Sequence, residues 1–177
     1  MARLCAVVAA VLVAGVGCGY RFVARDATLP EGVHAVCAPI FLNETAEPGL
    51  ETLFTRAMRE QLVRVGTLGD GGKCDARLEG QVTNVGSSPT IVTEPITDEK
   101  GAVLAGPQLA SYRAFAEARL RLLKDERVLA ETTVAGTEDY LPGSGDVLEA
   151  EANRRAALHR LSETLMREGY ERLARNW

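Results

Sequence analysis

Few side chains in this 177-residue chain are of types that do chemistry, and their spacing decides how far each can be taken. His34 and His159 are the two histidines, each isolated in an otherwise apolar or helical context. His34 and Cys37 lie an odd number of residues apart on one extended run, so they point to opposite faces and cannot pair as base and nucleophile. The chain has no CxxC pair, no HExxH and no glycine-flanked serine, and its carboxylates are scattered. The glycine-rich run from Gly66 to Cys74 resembles a phosphate loop only faintly. Its glycine-to-lysine spacing is wrong, Cys74 follows Lys73 where Ser or Thr is needed, and it leaves a helix instead of a strand. No metal set, cofactor or catalytic centre is expected. What remains is three arginines, Arg113, Arg119 and Arg121, which share one face of an alternating run. Guanidinium groups there suit phosphate or carboxylate, as in an anionic lipid; the plainer reading is a solvated sheet face.

The elements that must carry these residues read as follows. Val33 to Phe41 is almost wholly apolar, the pattern of a central strand covered on both faces, and Pro39 ends or bulges it. Leu50, Leu53, Phe54, Ala57, Met58, Leu62 and Val65 recur at helical spacing after Pro48-Gly49. Cys74 to Val85 alternates, with Cys74, Ala76, Leu78, Gly80 and Val82 on the inward side. Strand, helix and strand make a crossover unit, for which parallel pairing is a natural result. Gly86 to Gln108, rich in Gly and Pro with a short extended run Thr90-Ile91-Val92-Thr93 inside, reads as a long mobile connection and a contact candidate.

Leu109 to Leu123 alternates as the longest strand, turns at Lys124 to Arg127, and is followed by an antiparallel partner from Val128 to Tyr140. Asp146 is placed to cap a last long helix, with Leu148, Leu158, Leu161, Leu165, Tyr170 and Leu173 toward the core and Arg154, Arg155, Arg160, Glu163 and Arg167 outward. The order β-α-β-β-β-α predicts an α+β fold, a four-stranded mixed sheet with two helices packed on one face.

Ahead of all this stand Arg3 and an apolar run from Leu4 to Val16, too short to span a bilayer. The ending Gly15-Val16-Gly17-Cys18 resembles a bacterial lipoprotein signal, although Gly15 stands where such signals usually carry Leu. That resemblance implies cleavage after residue 17 and lipidation, including palmitate, of Cys18. Gly19 in place of Asp then implies sorting to the outer membrane, facing the periplasm. The predicted organisation is a signal peptide over 1–17, a lipidated lead over 18–28 and a single domain over 29–177. The mature chain holds nineteen basic against twenty-four acidic residues, which does not suit nucleic acid. In an oxidising compartment Cys37 and Cys74 are a possible disulfide, or two buried thiols.

Several motifs occur in a telling order: Gly17-Cys18-Gly19-Tyr20-Arg21-Phe22, Leu29-Pro30-Glu31-Gly32-Val33, Pro39-Ile40-Phe41-Leu42-Asn43-Glu44-Thr45, Glu47-Pro48-Gly49-Leu50-Glu51 and Leu78-Glu79-Gly80-Gln81-Val82. Together they resemble the lipopolysaccharide-assembly lipoprotein family, LptE. The resemblance implies a non-enzymatic protein that plugs and helps assemble an outer-membrane β-barrel of the LptD kind, and contacts lipopolysaccharide through basic residues. Arg113, Arg119 and Arg121 are candidates for that contact from strand geometry. Two other readings remain: a lipoprotein that activates a cell-wall synthase or serves another secretion complex, and a small periplasmic enzyme built on paired carboxylates.

Overall fold

The computed structural model describes residues 29–70, 73–106, 109–143 and 146–175. The proposed signal, Cys18 and the lead therefore lie outside the described residues. Nine elements follow a short 3-10 turn at Pro30–Gly32. They are β1 (Val36–Cys37), β2 (Leu42–Asn43), α1 (Leu50–Val65), β3 (Ala76–Val92), β4 (Ile96–Thr97), β5 (Val103–Ala105), β6 (Leu109–Lys124), β7 (Arg127–Tyr140) and α2 (Val147–Arg175).

The fold is α+β, with a mixed sheet in the order β1-β3-β6-β7 and β2 pairing further along β3. The sheet thus has five strands, one more than expected. Pro39 is the reason. It has no N–H to donate and ends pairing within the anticipated strand, of which only Val36–Cys37 forms β1, while β2 is a second short strand just beyond Phe41. Both pair parallel to β3, through Val36 with Ala76 and Leu42 with Gln81. They form the edge of the sheet, not its centre. Apolar Ile40 and Leu42 consequently stay 68% and 59% exposed while Val36 and Phe41 are buried.

The largest departure is the stretch from Gly86 to Gln108, expected as a loose connection. β3 continues through it to Val92, held against β6 by antiparallel pairs as far as Val92 with Leu109. A separate hairpin, β4 with β5, fills most of the rest. Gly86 and Pro89 sit inside the ladder without ending it, because the partner β6 supplies the register locally weak residues lack. A bulge at Thr83 also shifts the inward-facing residues of β3, so that Val85 packs against the core as Val82 does. The turn between β6 and β7 is a two-residue one, with positive φ at Asp125 (49°) and Glu126 (62°), the handedness that matches the strand twist.

Both helices cover one face. Leu78 and Val82 of β3, Ala114, Ala116, Ala118, Leu120 and Leu122 of β6, and Val134 of β7 form a buried floor. Phe54, Met58 and Leu62 of α1 and Leu158, Leu161, Leu165, Met166 and Leu173 of α2 close over it in one core. Small residues set the spacing. A Cβ on Gly80 would fall 2.3 Å from the ring of buried Phe41, so that ring lies directly on the strand backbone. α1 is bolted to the β1–β2 segment by two bonds: the Phe41 N–H donates to Thr55 Oγ1 (2.8 Å) and Arg59 Nε donates to the Ala38 carbonyl (2.9 Å). Asp146 caps α2, its carboxylate accepting the Leu148 N–H at 2.8 Å. Leu148, expected toward the core, is 78% exposed in the first turn, before the helix reaches the sheet.

Cys37 and Cys74 meet where β1 joins β3, with Cα atoms 5.6 Å apart, a span a disulfide bridges. Asp75 adjoins them, accepting the N–H groups of His34 and Ala35 at 2.9 and 3.0 Å, which holds its carboxyl below the usual range. Two outcomes are expected. Gly80→Ala should cost about 1–3 kcal/mol in denaturant unfolding, because Phe41 must leave its seat. Thiol titration of the unreduced, unfolded protein should find no free thiol at Cys37 or Cys74, and reduction should lower Tm. The stabilisation lost is up to ~4 kcal/mol for a loop of this length.

Candidate functional site

The helices leave the other face of the sheet open, and the alternation of β3, β6 and β7 puts their polar residues there. Arg113, Arg119 and Arg121 all project from β6 onto this face, each partly exposed. They differ in their partners. Arg113 forms a bidentate pair across to β7, its Nε and a terminal nitrogen donating to the Asp139 carboxylate at 2.6 and 2.9 Å. The bonds from Arg113 hold the Asp139 carboxyl below its ordinary range, and the carboxylate makes the guanidinium still harder to deprotonate. Arg119 and Arg121 share one carboxylate, Glu131, each at 3.6 Å. The Nε of Arg121 is buried without a hydrogen-bond acceptor.

Arg119 and Arg121 also line a shallow cleft at the β1–β2 edge with Ile40, Leu42, Glu79 and Gln81. Two arginines thus stand with two carboxylates, Glu131 shared between them and Glu79 across the strand pair from Arg121, beside two exposed aliphatic side chains. That combination suits a ligand with an anionic group next to an apolar one. Between the arginine positions lies Phe115, whose ring rests over Gly86, where a Cβ would fall 2.3 Å from it. Glu117 accepts from Thr83 Oγ1 at 2.9 Å, so the face is polar and largely satisfied within itself.

Two features were not anticipated from the sequence. Arg154, expected to point outward, is mostly buried, with 22% of its side chain exposed. It donates to Glu47 through both terminal nitrogens, one at 2.9 Å, and through Nε to Ser87 Oγ at 3.1 Å. One side chain on α2 thereby ties the loop before α1 to β3. The signal was present: Arg154, Leu158, Leu161 and Leu165 share one helical stripe. Beside Arg154 opens a larger cleft floored by Leu50, Leu53 and Leu158, whose arginines Arg154 and Arg155 are paired to Glu47 and Glu151. The second feature is the β4–β5 hairpin, which leaves Ile96, Val103 and Leu104 exposed. Among the described residues no group of His, Cys, Asp and Glu is placed to hold a metal ion, and no helix is long and apolar enough to cross a membrane.

Residues 33–173 match the model of a family described as LptE, lipopolysaccharide-assembly. No curated protein matches the chain. Among solved structures, hypothetical protein CT253 from Chlamydia trachomatis is similar with a TM-score of 0.52 at 12% identity, covering 79% of this chain and 95% of that one. The rare lipoprotein B from Shewanella oneidensis aligns with a TM-score of 0.46 at 11% identity, covering 79% and 96%. A minor lipoprotein from Acinetobacter baumannii gives 0.44 at 8%, covering 77% and 91%.

The two kinds of charge pair predict different responses. Glu47→Gln should destabilise by about 1.5–3 kcal/mol in chemical denaturation, since it strips a charged partner from a mostly buried guanidinium. Asp139 has a depressed carboxyl, so its contribution is present above the unfolded value of about 3.9 and lost as pH falls through the lower folded value. Asp139→Asn should therefore flatten the fall of Tm below about pH 4.

Proposed function

Because the chain belongs to the lipopolysaccharide-assembly family LptE, we propose that it is a non-enzymatic, lipid-anchored plug of an outer-membrane β-barrel translocon of the LptD kind, delivering lipopolysaccharide to the outer leaflet. The family match over residues 33–173 carries this reading. The open sheet face supports it. Lumen walls of such barrels are polar, and a polar, ion-paired face suits such a wall better than an apolar one.

The anchor is the acylated Cys18. A single acyl chain holds a protein marginally and several hold it permanently, so a lipidated cysteine keeps the domain at the membrane. Leu29, where the described chain begins, is buried beside the β6–β7 turn, and Glu31 there pairs with Arg127. The sheet runs away from that end for the 16 residues of β6, about 50 Å. Tethered at one end, the domain is long enough to extend through a barrel.

Lipopolysaccharide contact is assigned to Arg119 and Arg121, with Arg113 a lesser contributor because Asp139 already accepts two bonds from one edge of its guanidinium. The apolar neighbours Ile40 and Leu42 suit an amphiphile with phosphate near acyl chains.

The test is extraction of tagged, full-length protein from its native membrane in mild detergent, with identification of what co-purifies. A large barrel protein at one to one is the expected result; a cell-wall synthase, another secretion component, or no partner sinks the plug reading. On the purified protein, replacing both Arg119 and Arg121 by Gln should weaken lipopolysaccharide binding about tenfold, with a shallower salt dependence. Arg113→Gln should change it less than about twofold.

A further inference from the structure

The β4–β5 hairpin is built with care and then left uncovered. Asp98 closes its turn: the carboxylate accepts the N–H groups of Lys100 (2.9 Å) and Ala102 (2.8 Å), and its carbonyl accepts that of Gly101 (3.0 Å), which has φ +80°. The ribbon is its own two-stranded sheet, paired through Ile96 with Ala105 and Thr97 with Val103. No third strand joins it among the described residues. Its aliphatic side chains face water, Ile96 at 62%, Val103 at 63% and Leu104 at 68% exposed, and Val92 at its stem is similarly open. An isolated two-stranded ribbon is marginally stable in water, and one that spends its aliphatics on solvent is completed by another surface.

Charge and position select that surface. Between Thr93 and Gly106 the chain carries Glu94, Asp98 and Glu99 against Lys100 alone. An acidic, aliphatic tip repels phosphate-bearing lipid and complements an apolar protein surface ringed by Lys or Arg. The hairpin also projects from the end of β3 opposite to Leu29, the end furthest from the proposed anchor. We propose that residues 94–105 form a docking finger for an apolar, basic protein surface inside the barrel partner, distinct from the arginine cleft that meets the glycolipid. This assignment rests on the plug reading above.

Two measurements on the full-length, lipid-anchored protein in its native membrane test it. In the first, a benzophenone amino acid replaces Val103 and the membrane is irradiated. The expected adduct is with the same barrel protein that co-purifies with the wild type. An adduct with lipopolysaccharide, or no adduct while the barrel still co-purifies, overturns the finger and leaves the plug reading standing. In the second, Ile96→Asp is combined with Leu104→Asp, both exposed positions at which Tm should hold. The barrel recovered with the tagged protein should fall about tenfold, the effect of losing two apolar contacts. Recovery at one to one with this variant also overturns the finger. If no barrel co-purifies even with the wild type, both readings fall together.

Discussion

The seat of α2 on the middle of the sheet sets the shape of the rest. β6 presents Ala114, Ala116 and Ala118, all essentially inaccessible, where a helix must come close. The helix answers with Gly169, where a Cβ would fall 2.2 Å from Leu120, and β7 with Gly136, which faces Leu161 and Leu165. Small side chains on both sides bring backbone near backbone, and the larger leucines of α2 fill the space around them. Once α2 lies there, α1 packs beside it, and the apolar surface of the sheet is used on one side only.

The open face follows from that arrangement. With no layer over it, its strands carry charge, and charges at cross-strand positions pair: Arg113 with Asp139, Arg119 and Arg121 with Glu131. Exposed pairs of this kind add little stability. Their consequence is a surface that is polar but nearly neutral, with two of its arginines set at the edge beside Ile40 and Leu42. The acidic hairpin lies at the far end of the same sheet. The polar face, the arginine cleft and the apolar acidic tip are thus three separate surfaces of one domain.

Arg154 links these parts. Anchored to Glu47 and Ser87, it fixes the loop before α1 against β3, and through Asn43 that loop is tied onward: the Asn43 amide donates to the Glu47 carbonyl at 2.7 Å and to Glu51 at 3.0 Å. The β1–β2 edge that forms one wall of the arginine cleft is thereby held by the helical layer behind it.

The amino-acid pattern by itself determined both helices, the alternation of β3, β6 and β7, the turn at Lys124 to Arg127, the cap at Asp146 and the family, because each is written in residues near one another along the chain. The common face of Arg113, Arg119 and Arg121 was legible for the same reason, since period two follows from strand geometry alone. Tertiary structure decided what depends on residues far apart. Val33 to Phe41 reads as a central strand, yet apolar composition does not report how many neighbours a strand has, and pairing places it at the edge. Gly86 to Gln108 reads as loop because Gly and Pro weaken local preference, yet a long partner strand imposes the ladder through Val92. The arginines look alike in sequence; whether each is matched by a carboxylate depends on the register of β7, which sets Asp139 opposite Arg113 and Glu131 opposite Arg121. Local pattern fixes which face a side chain takes, and only the assembled sheet fixes what it meets there.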